Sequence, residues 1–206
     1  MNKDIINYKI VSNVISSILK TIGVIKMKKA LIIVDYQYDF VADDGALTVG
    51  KAAQDIQVHL KNLARDYDEK DIYFTFDDHD FDDWKNKKTP EADVFNEHCI
   101  NGTKGYQIYG DIKGKDNIVN HVNKKAYCPK QDFLDGIIKK YNDVTVVGVV
   151  TDICVFQTVI GLYTVAVNSG KKININVDPE ACASFNPDRE KWSLQYLEQI
   201  LGVNVK

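Results

Sequence analysis

Residues 144–158, VTVVGVVTDICVFQT, constrain the fold of this chain more than any other stretch. The first half is an almost unbroken β-branched run bounded by Asp143 and Gly148, the pattern of a strand buried on both faces. Such strands belong to parallel sheets covered by helices on either side. The second half opens with Thr151 and Asp152, residue types that cap helix starts. Cys154 is thereby placed in the first turn of a helix that leaves a central strand. Unpaired N–H groups and the positive end of the helix dipole favour a thiolate there and can hold an oxyanion. A free cysteine can equally be a small buried hydrophobe, so residues elsewhere have to decide between the two roles.

The rest of the chain repeats the strand–helix alternation. Residues 30–34 form an apolar run that closes on Asp35, and residues 71–76 form a second strand ending at Asp77. Between them, residues 52–63 carry apolar positions at helical spacing, which makes a right-handed parallel crossover. Further strands are expected at 117–123, 144–149, 171–177 and 203–205, with helices at 131–141, 152–167 and 188–200. This order predicts an α/β fold, a doubly wound, mostly parallel sheet flanked by helices. With 206 residues, 45% of them hydrophobic, one core and one domain suffice. In such sheets ligands bind outside the carboxyl ends of the strands, where Asp35, Asp77 and Cys154 all lie.

A net charge of -3 without a Lys/Arg cluster argues against a nucleic-acid partner. The four cysteines lack CxxC spacing, so neither a disulfide framework nor a zinc ribbon is indicated, and a cytoplasmic setting is expected. Residues 1–26 lack a small-residue cleavage site, and no apolar run in them is long enough to span a membrane. Ile10, Val14, Ile15, Ile18 and Leu19 fall at helical spacing, so this extension reads either as a short amphipathic helix or as sequence upstream of a true start at Met27. The domain proper is expected over 27–206.

From Asp77 to about Lys115 the periodicity stops, and a loop this long is usually functional or disordered. It holds His79, Glu91 and His98, and the Asp77-x-His79 pair leaves a strand end. Imidazole with carboxylate suits zinc, iron or manganese, while a solvated acidic loop with incidental histidines is the plainer alternative. Lys124 closes the third strand, and a lysine there would lie near Asp35 and Cys154 if the strands are neighbours. An acid, an ammonium and a thiol together make a proton acceptor, a charge stabiliser and a nucleophile.

With these residues in view, the chain resembles the isochorismatase-like cysteine hydrolases, and among them the nicotinamidases. The resemblance covers essentially residues 27–206 and is carried by LIIVDYQYDF with Asp35, KKAY with Lys124, GVVTDICVFQT with Cys154, HCINGTKG and DPEACAS. It implies a catalytic trio of Asp35, Lys124 and Cys154, an oxyanion site made by the Val150 and Cys154 amides, and a non-proline cis peptide between Val150 and Thr151. It also implies one divalent metal ion, zinc first and iron or manganese next, held by Asp77, His79, His98 and a variable ligand. For the last, Glu91 is preferred over Asp78, Asp80 and Asp82. Phe40, Phe95 and Tyr127 match positions that flank a pyridine ring. One departure is YCPK at residues 127–130, where the family has YSAF, which bears on the shape of the pocket.

The activity implied is metal-dependent hydrolysis of nicotinamide to nicotinate and ammonia through a thioester, in NAD salvage, extending to pyrazinamide-like analogues. The implied partner is this small molecule, with no nucleic acid and no membrane, and homo-oligomer formation is left open. Two alternatives stand beside it: a ureido or carbamoyl amidohydrolase of the same family, and a silent metal-binding scaffold.

Overall fold

A computed structural model describes residues 28–115 and 118–206. The expected amphipathic helix and the Met27 boundary fall outside the described residues. In chain order the elements are β1 (Lys29–Val34), α1 (Tyr38–Val41), α2 (Lys51–Asp55), α3 (Gln57–Ala64), β2 (Ile72–Asp77), α4 (Phe81–Lys85), β3 (His121–Lys124), α5 (Gln131–Lys140), β4 (Asp143–Val149), a π-helical turn (Thr151–Val155), α6 (Phe156–Asn168), β5 (Asn174–Ala183), α7 (Pro187–Leu201) and β6 (Asn204–Val205).

The strands form one six-stranded sheet in the order β3-β2-β1-β4-β5-β6, every pair parallel. The chain winds outward in both directions from β1 and β4, and the crevice at that reversal opens at their carboxyl ends. β1 and β4 are buried along nearly their whole length, as continuous apolar strands in a parallel sheet must be. Helices α5, α6 and α7 pack side by side, and α2 and α3 lie against β5. The stretch Thr151–Asn168 is apolar and long enough to cross a membrane, yet Val159, Leu162, Val165 and Ala166 pack into the core, which makes it a central helix of the domain.

Several elements depart from the periodicity reading. The expected helix over 52–63 divides at Ile56, where the backbone flattens to φ -72°, ψ -12° and the ladder is interrupted. Of the expected strand over 117–123, residue 117 lies outside the described residues and β3 begins at His121, because the Asn120 side chain takes the Lys70 and Ile72 carbonyls, at 3.0 and 2.9 Å, ahead of the ladder. β5 is longer: Pro179 reads as a strand stop, but the strand passes it through a register shift, pairing Val177 with Val146 and then Cys182 with Gly148. The loop after β2 is not structureless. It contains α4, whose N-cap Asp80 accepts from the amides of Asp82 and Asp83, and a short 3-10 turn at Pro90–Asp93.

Candidate active site and metal cage

Four strand ends converge at the crevice. Asp35 follows β1, Asp77 and Lys124 close β2 and β3, and Cys154 lies on the turn after β4. Asp35 adopts φ 47°, a left-handed conformation that Asp tolerates better than most residues and that turns the chain abruptly out of the sheet.

Lys124 is the hub. Its ammonium is fully buried and lies 2.7 Å from Asp35 Oδ2, 3.3 Å from Asp77 Oδ1 and 3.5 Å from Cys154 Sγ. Thr75, on β2, completes the surroundings of Asp35 by donating from Oγ1 to Oδ1 at 2.6 Å. Burial pushes the Asp35 carboxyl above its ordinary value, against the pull of Lys124. Burial also pushes the Cys154 thiol well up, and Lys124 offsets only part of this. Desolvation of the enclosed sulfur thus outweighs the ammonium and the helix end that favour a thiolate, and leaves Cys154 in need of the base that Asp35 can supply. Burial alone would discharge Lys124, but Asp35 and Asp77 hold its ammonium well above the usual range.

The other oxygen of Asp77 faces a cage. Asp77 Oδ2 is 3.2 Å from His79 Nε2 and 3.3 Å from His98 Nε2, and the Glu91 oxygens lie 3.8 and 3.9 Å from the same two nitrogens. One ligand atom from each of Asp77, His79, Glu91 and His98 fits within 4.8 Å of the others. Two features fit a divalent ion. His79 Nε2 is buried without a hydrogen bond, an uncompensated group that a metal would satisfy. His98 Nδ1 sits 2.7 Å from the Asn96 carbonyl, which assigns the proton to Nδ1 and leaves the Nε2 lone pair facing the cage. Two imidazoles and two carboxylates suit zinc, iron or manganese. Burial opposes ionisation of Asp77, but the Lys124 ammonium beside it prevails and holds its carboxyl well below the usual range.

Of the acids weighed against Glu91, Asp80 caps α4 and Asp78 accepts from the side-chain amides of Asn101 and Asn123. Asp82 is exposed. Glu91 alone joins the cage, carried there by the 3-10 turn that follows Thr89.

The turn after β4 differs from the expected helix start. Thr151 and Asp152 make no cap. Instead Thr151 Oγ1 donates to Glu190 Oε1 at 2.7 Å, while Asp152 accepts from Ser184 Oγ and from Arg189 Nε, so both residues moor the turn to the start of α7. Ile153 and Val155 N–H groups both donate to the Val150 carbonyl, which widens the turn to the π form. The cis peptide lies between Val149 and Val150, one unit earlier than expected, where β4 ends.

A narrow cavity runs past these groups. Phe40, Phe95 and Tyr127 line it with Asp77, Glu91, His98, Val150 and Cys154, so the aromatic residues named from the sequence do share one space. Leu47, Ile153 and Phe185 line it too. Nothing in the local sequence marks them, because each reaches the cavity from a separate connection. Of the remaining cysteines, all unpaired, Cys99 and Cys182 are buried and Cys128 is half-buried.

The chain is similar over most of its length to known proteins. A pyrazinamidase/nicotinamidase structure from Streptococcus mutans UA159 is 34% identical with a TM-score of 0.74, covering 87% of this chain and 100% of that one. The nicotinamidase/pyrazinamidase PncA structure from Bacillus subtilis is 33% identical with a TM-score of 0.73, covering 87% and 99%. The curated Bacillus subtilis (strain 168) protein described as an uncharacterized isochorismatase family protein, PncA, is 32% identical over 190 residues, 87% of this chain and 99% of that protein. The isochorismatase domain itself matches residues 29–205, from the first residue of β1 to the last of β6, and the chain belongs to the isochorismatase family.

Proposed function

We propose that this protein is a metal-dependent cysteine amidohydrolase that converts nicotinamide to nicotinate and ammonia. The observation that carries the reading is Lys124, whose single ammonium touches Asp35, Cys154 and the cage carboxylate Asp77 in one enclosed space. A nucleophile and a cage joined in this way serve a substrate that carries a carboxamide at one end and a metal-binding ring nitrogen at the other. The similarity to proteins described as nicotinamidases and pyrazinamidases supports the same substrate class.

Asp77, His79, Glu91 and His98 would hold the ion, whose contribution when bound is to orient the ring and polarise water. The remaining work falls to this chain's own groups. Phe40, Phe95 and Tyr127 flank the ring and exclude solvent. Asp35, kept a good proton acceptor by burial, takes the proton of the Cys154 thiol, and Lys124 stabilises the sulfur anion as it forms. The sulfur attacks the carboxamide carbon, and the Val150 and Cys154 amides are assigned to the resulting oxyanion. Protonated Asp35 then gives its proton to the amide nitrogen, the C–N bond breaks, ammonia departs, and the acyl group remains on Cys154 as a thioester. Water, deprotonated by Asp35, cleaves the thioester and restores the thiol. The reaction would be a step in NAD salvage, and four unpaired cysteines fit a reducing cytoplasm.

The test is ammonia release from nicotinamide by purified protein, before and after chelation, with metal restored and with Cys154→Ala alongside. Release that needs metal and vanishes with Cys154→Ala is expected. Fully metallated, reduced protein that releases none overturns the substrate assignment.

A further inference from the structure

Two side chains that neither the trio nor the cage uses lie directly behind the cage. Gln37 is fully buried at the N-cap of α1, and its amide closes on the Asp77 backbone from both sides. Nε2 donates to the Asp77 carbonyl at 3.0 Å, and Oε1 accepts from the Asp77 N–H at 2.8 Å. A further bond runs from Nε2 to the Tyr106 carbonyl at 3.0 Å. Both donors and the acceptor of the amide are thus engaged, and flipping it would set oxygen against two carbonyls.

Asp39, two residues on, does the same for the other half of the cage. Its Oδ2 accepts from the N–H of Cys99, the residue after His98, at 2.7 Å, and its Oδ1 from the N–H of Ala46 at 3.1 Å. Cys99 is held at φ 48°, an unfavourable conformation for a residue with a side chain, and a charge-assisted bond to its amide stabilises it there. The space is reserved for this contact: a Cβ at Gly105 would fall 2.0 Å from Asp39 Oδ2.

We propose that Gln37 and Asp39 are positioning residues that set the divalent-metal affinity of the cage without touching the ion. Gln37 fixes the Asp77 peptide and Asp39 fixes the His98–Cys99 peptide. The inference rests on the metal-cage reading above. Its physical basis is that Asp77 serves two masters. Oδ1 faces Lys124 and Oδ2 faces both imidazoles, so a small shift of its backbone takes the carboxylate off one of them. Hydrogen-bond partners of ligating side chains typically govern affinity by about 10–100-fold, and Gln37 and Asp39 hold the same ligands one step back, through their peptides.

The experiment measures zinc Kd by competition with a chromophoric chelator, on metal-free wild type and on Gln37→Met, Gln37→Glu, Asp39→Asn and Leu60→Ala. Gln37→Met keeps the volume and removes all three hydrogen bonds. Gln37→Glu keeps the shape and turns an oxygen towards two carbonyls. Asp39→Asn keeps the shape and removes the charge. Leu60→Ala is the control, because Leu60 is a fully buried core residue on α3, which packs against β5. The expected result is a Kd raised about 10–100-fold in the Gln37 and Asp39 variants. Leu60→Ala should keep the wild-type Kd despite a lower thermal midpoint. Unchanged Kd in both Gln37→Met and Asp39→Asn overturns the proposal, as does an equal weakening in Leu60→Ala, which would reduce the effect to general destabilisation. Wild type that takes up no zinc, manganese or ferrous ion overturns the cage reading and this inference with it, whatever the nicotinamide assay shows.

Discussion

Replacing Lys124 with Met tests the electrostatic centre of the site without reference to any substrate. The ammonium sits 2.7 Å from Asp35 and 3.3 Å from Asp77 at zero side-chain exposure. With an effective dielectric constant of about 20, those separations correspond to roughly 6 and 5 kcal/mol of gross attraction. Desolvating the lysine costs several kcal/mol in the wild type, a cost the variant escapes, and the orphaned carboxyls can take up protons. The net expected loss is about 3–5 kcal/mol at pH 7, the usual range for breaking a buried pair. For a domain of this size that is roughly 6–20 °C in Tm.

The pH dependence has a definite sign. In the wild type the folded-state value of Asp77 is held well below the ordinary one, so its contribution is present above about pH 4 and is lost as pH falls through the lower folded value. Lys124→Met lacks that contribution, so its deficit is largest near neutrality and shrinks in acid. Asp35, already pushed up by burial, takes a proton first. Urea unfolding of chelator-treated wild type and variant at pH 7 and at about pH 3, below the ordinary carboxyl value, measures both quantities. A deficit under about 1 kcal/mol at pH 7, or one that widens as pH falls, would refute the reasoning.

Three other outcomes are expected. Gly148 has φ 117° beside Val34, and a Cβ there would lie 2.2 Å from the Val34 carbonyl oxygen, so Gly148→Ala should lose more than about 3 kcal/mol in urea unfolding, combining backbone strain with overpacking that cannot relax. Because burial raises the Cys154 thiol, its alkylation by iodoacetamide in metal-free protein should rise only at pH above the ordinary thiol value of about 8.5, and a plateau already reached at pH 7 would contradict a resting thiol. Chelation should lower the thermal midpoint, since an ion held by Asp77, His79, Glu91 and His98 stabilises the folded state by mass action; an unchanged midpoint in the presence of excess zinc argues against the cage.

Much of this molecule is written in local sequence. The apolar runs at 30–34 and 144–149 carry no alternation, and only a parallel sheet covered on both faces buries such strands, so the layer architecture follows from them. Asp35, Asp77 and Lys124 stand at strand ends, and the winding rule brings strand ends to one crevice. That they meet at one crevice, with Cys154 after β4, is legible for that reason.

Tertiary structure decided what depends on approach through space. The pull of Lys124 on Asp77 joins residues on two neighbouring strands, and no spacing along the chain encodes the 3.3 Å between them. Selection of Glu91 came from what else occupies its rivals, Asp80 as a cap and Asp78 as an acceptor for two asparagines. Thr151 and Asp152 have the composition of a helix start, yet the α7 residues Glu190 and Arg189 claim their side chains, an outcome fixed by packing. The protonation of Cys154 is decided in the same way. The residue type and the helix start point to a thiolate, and only full burial, a property of the assembled fold, reverses the balance.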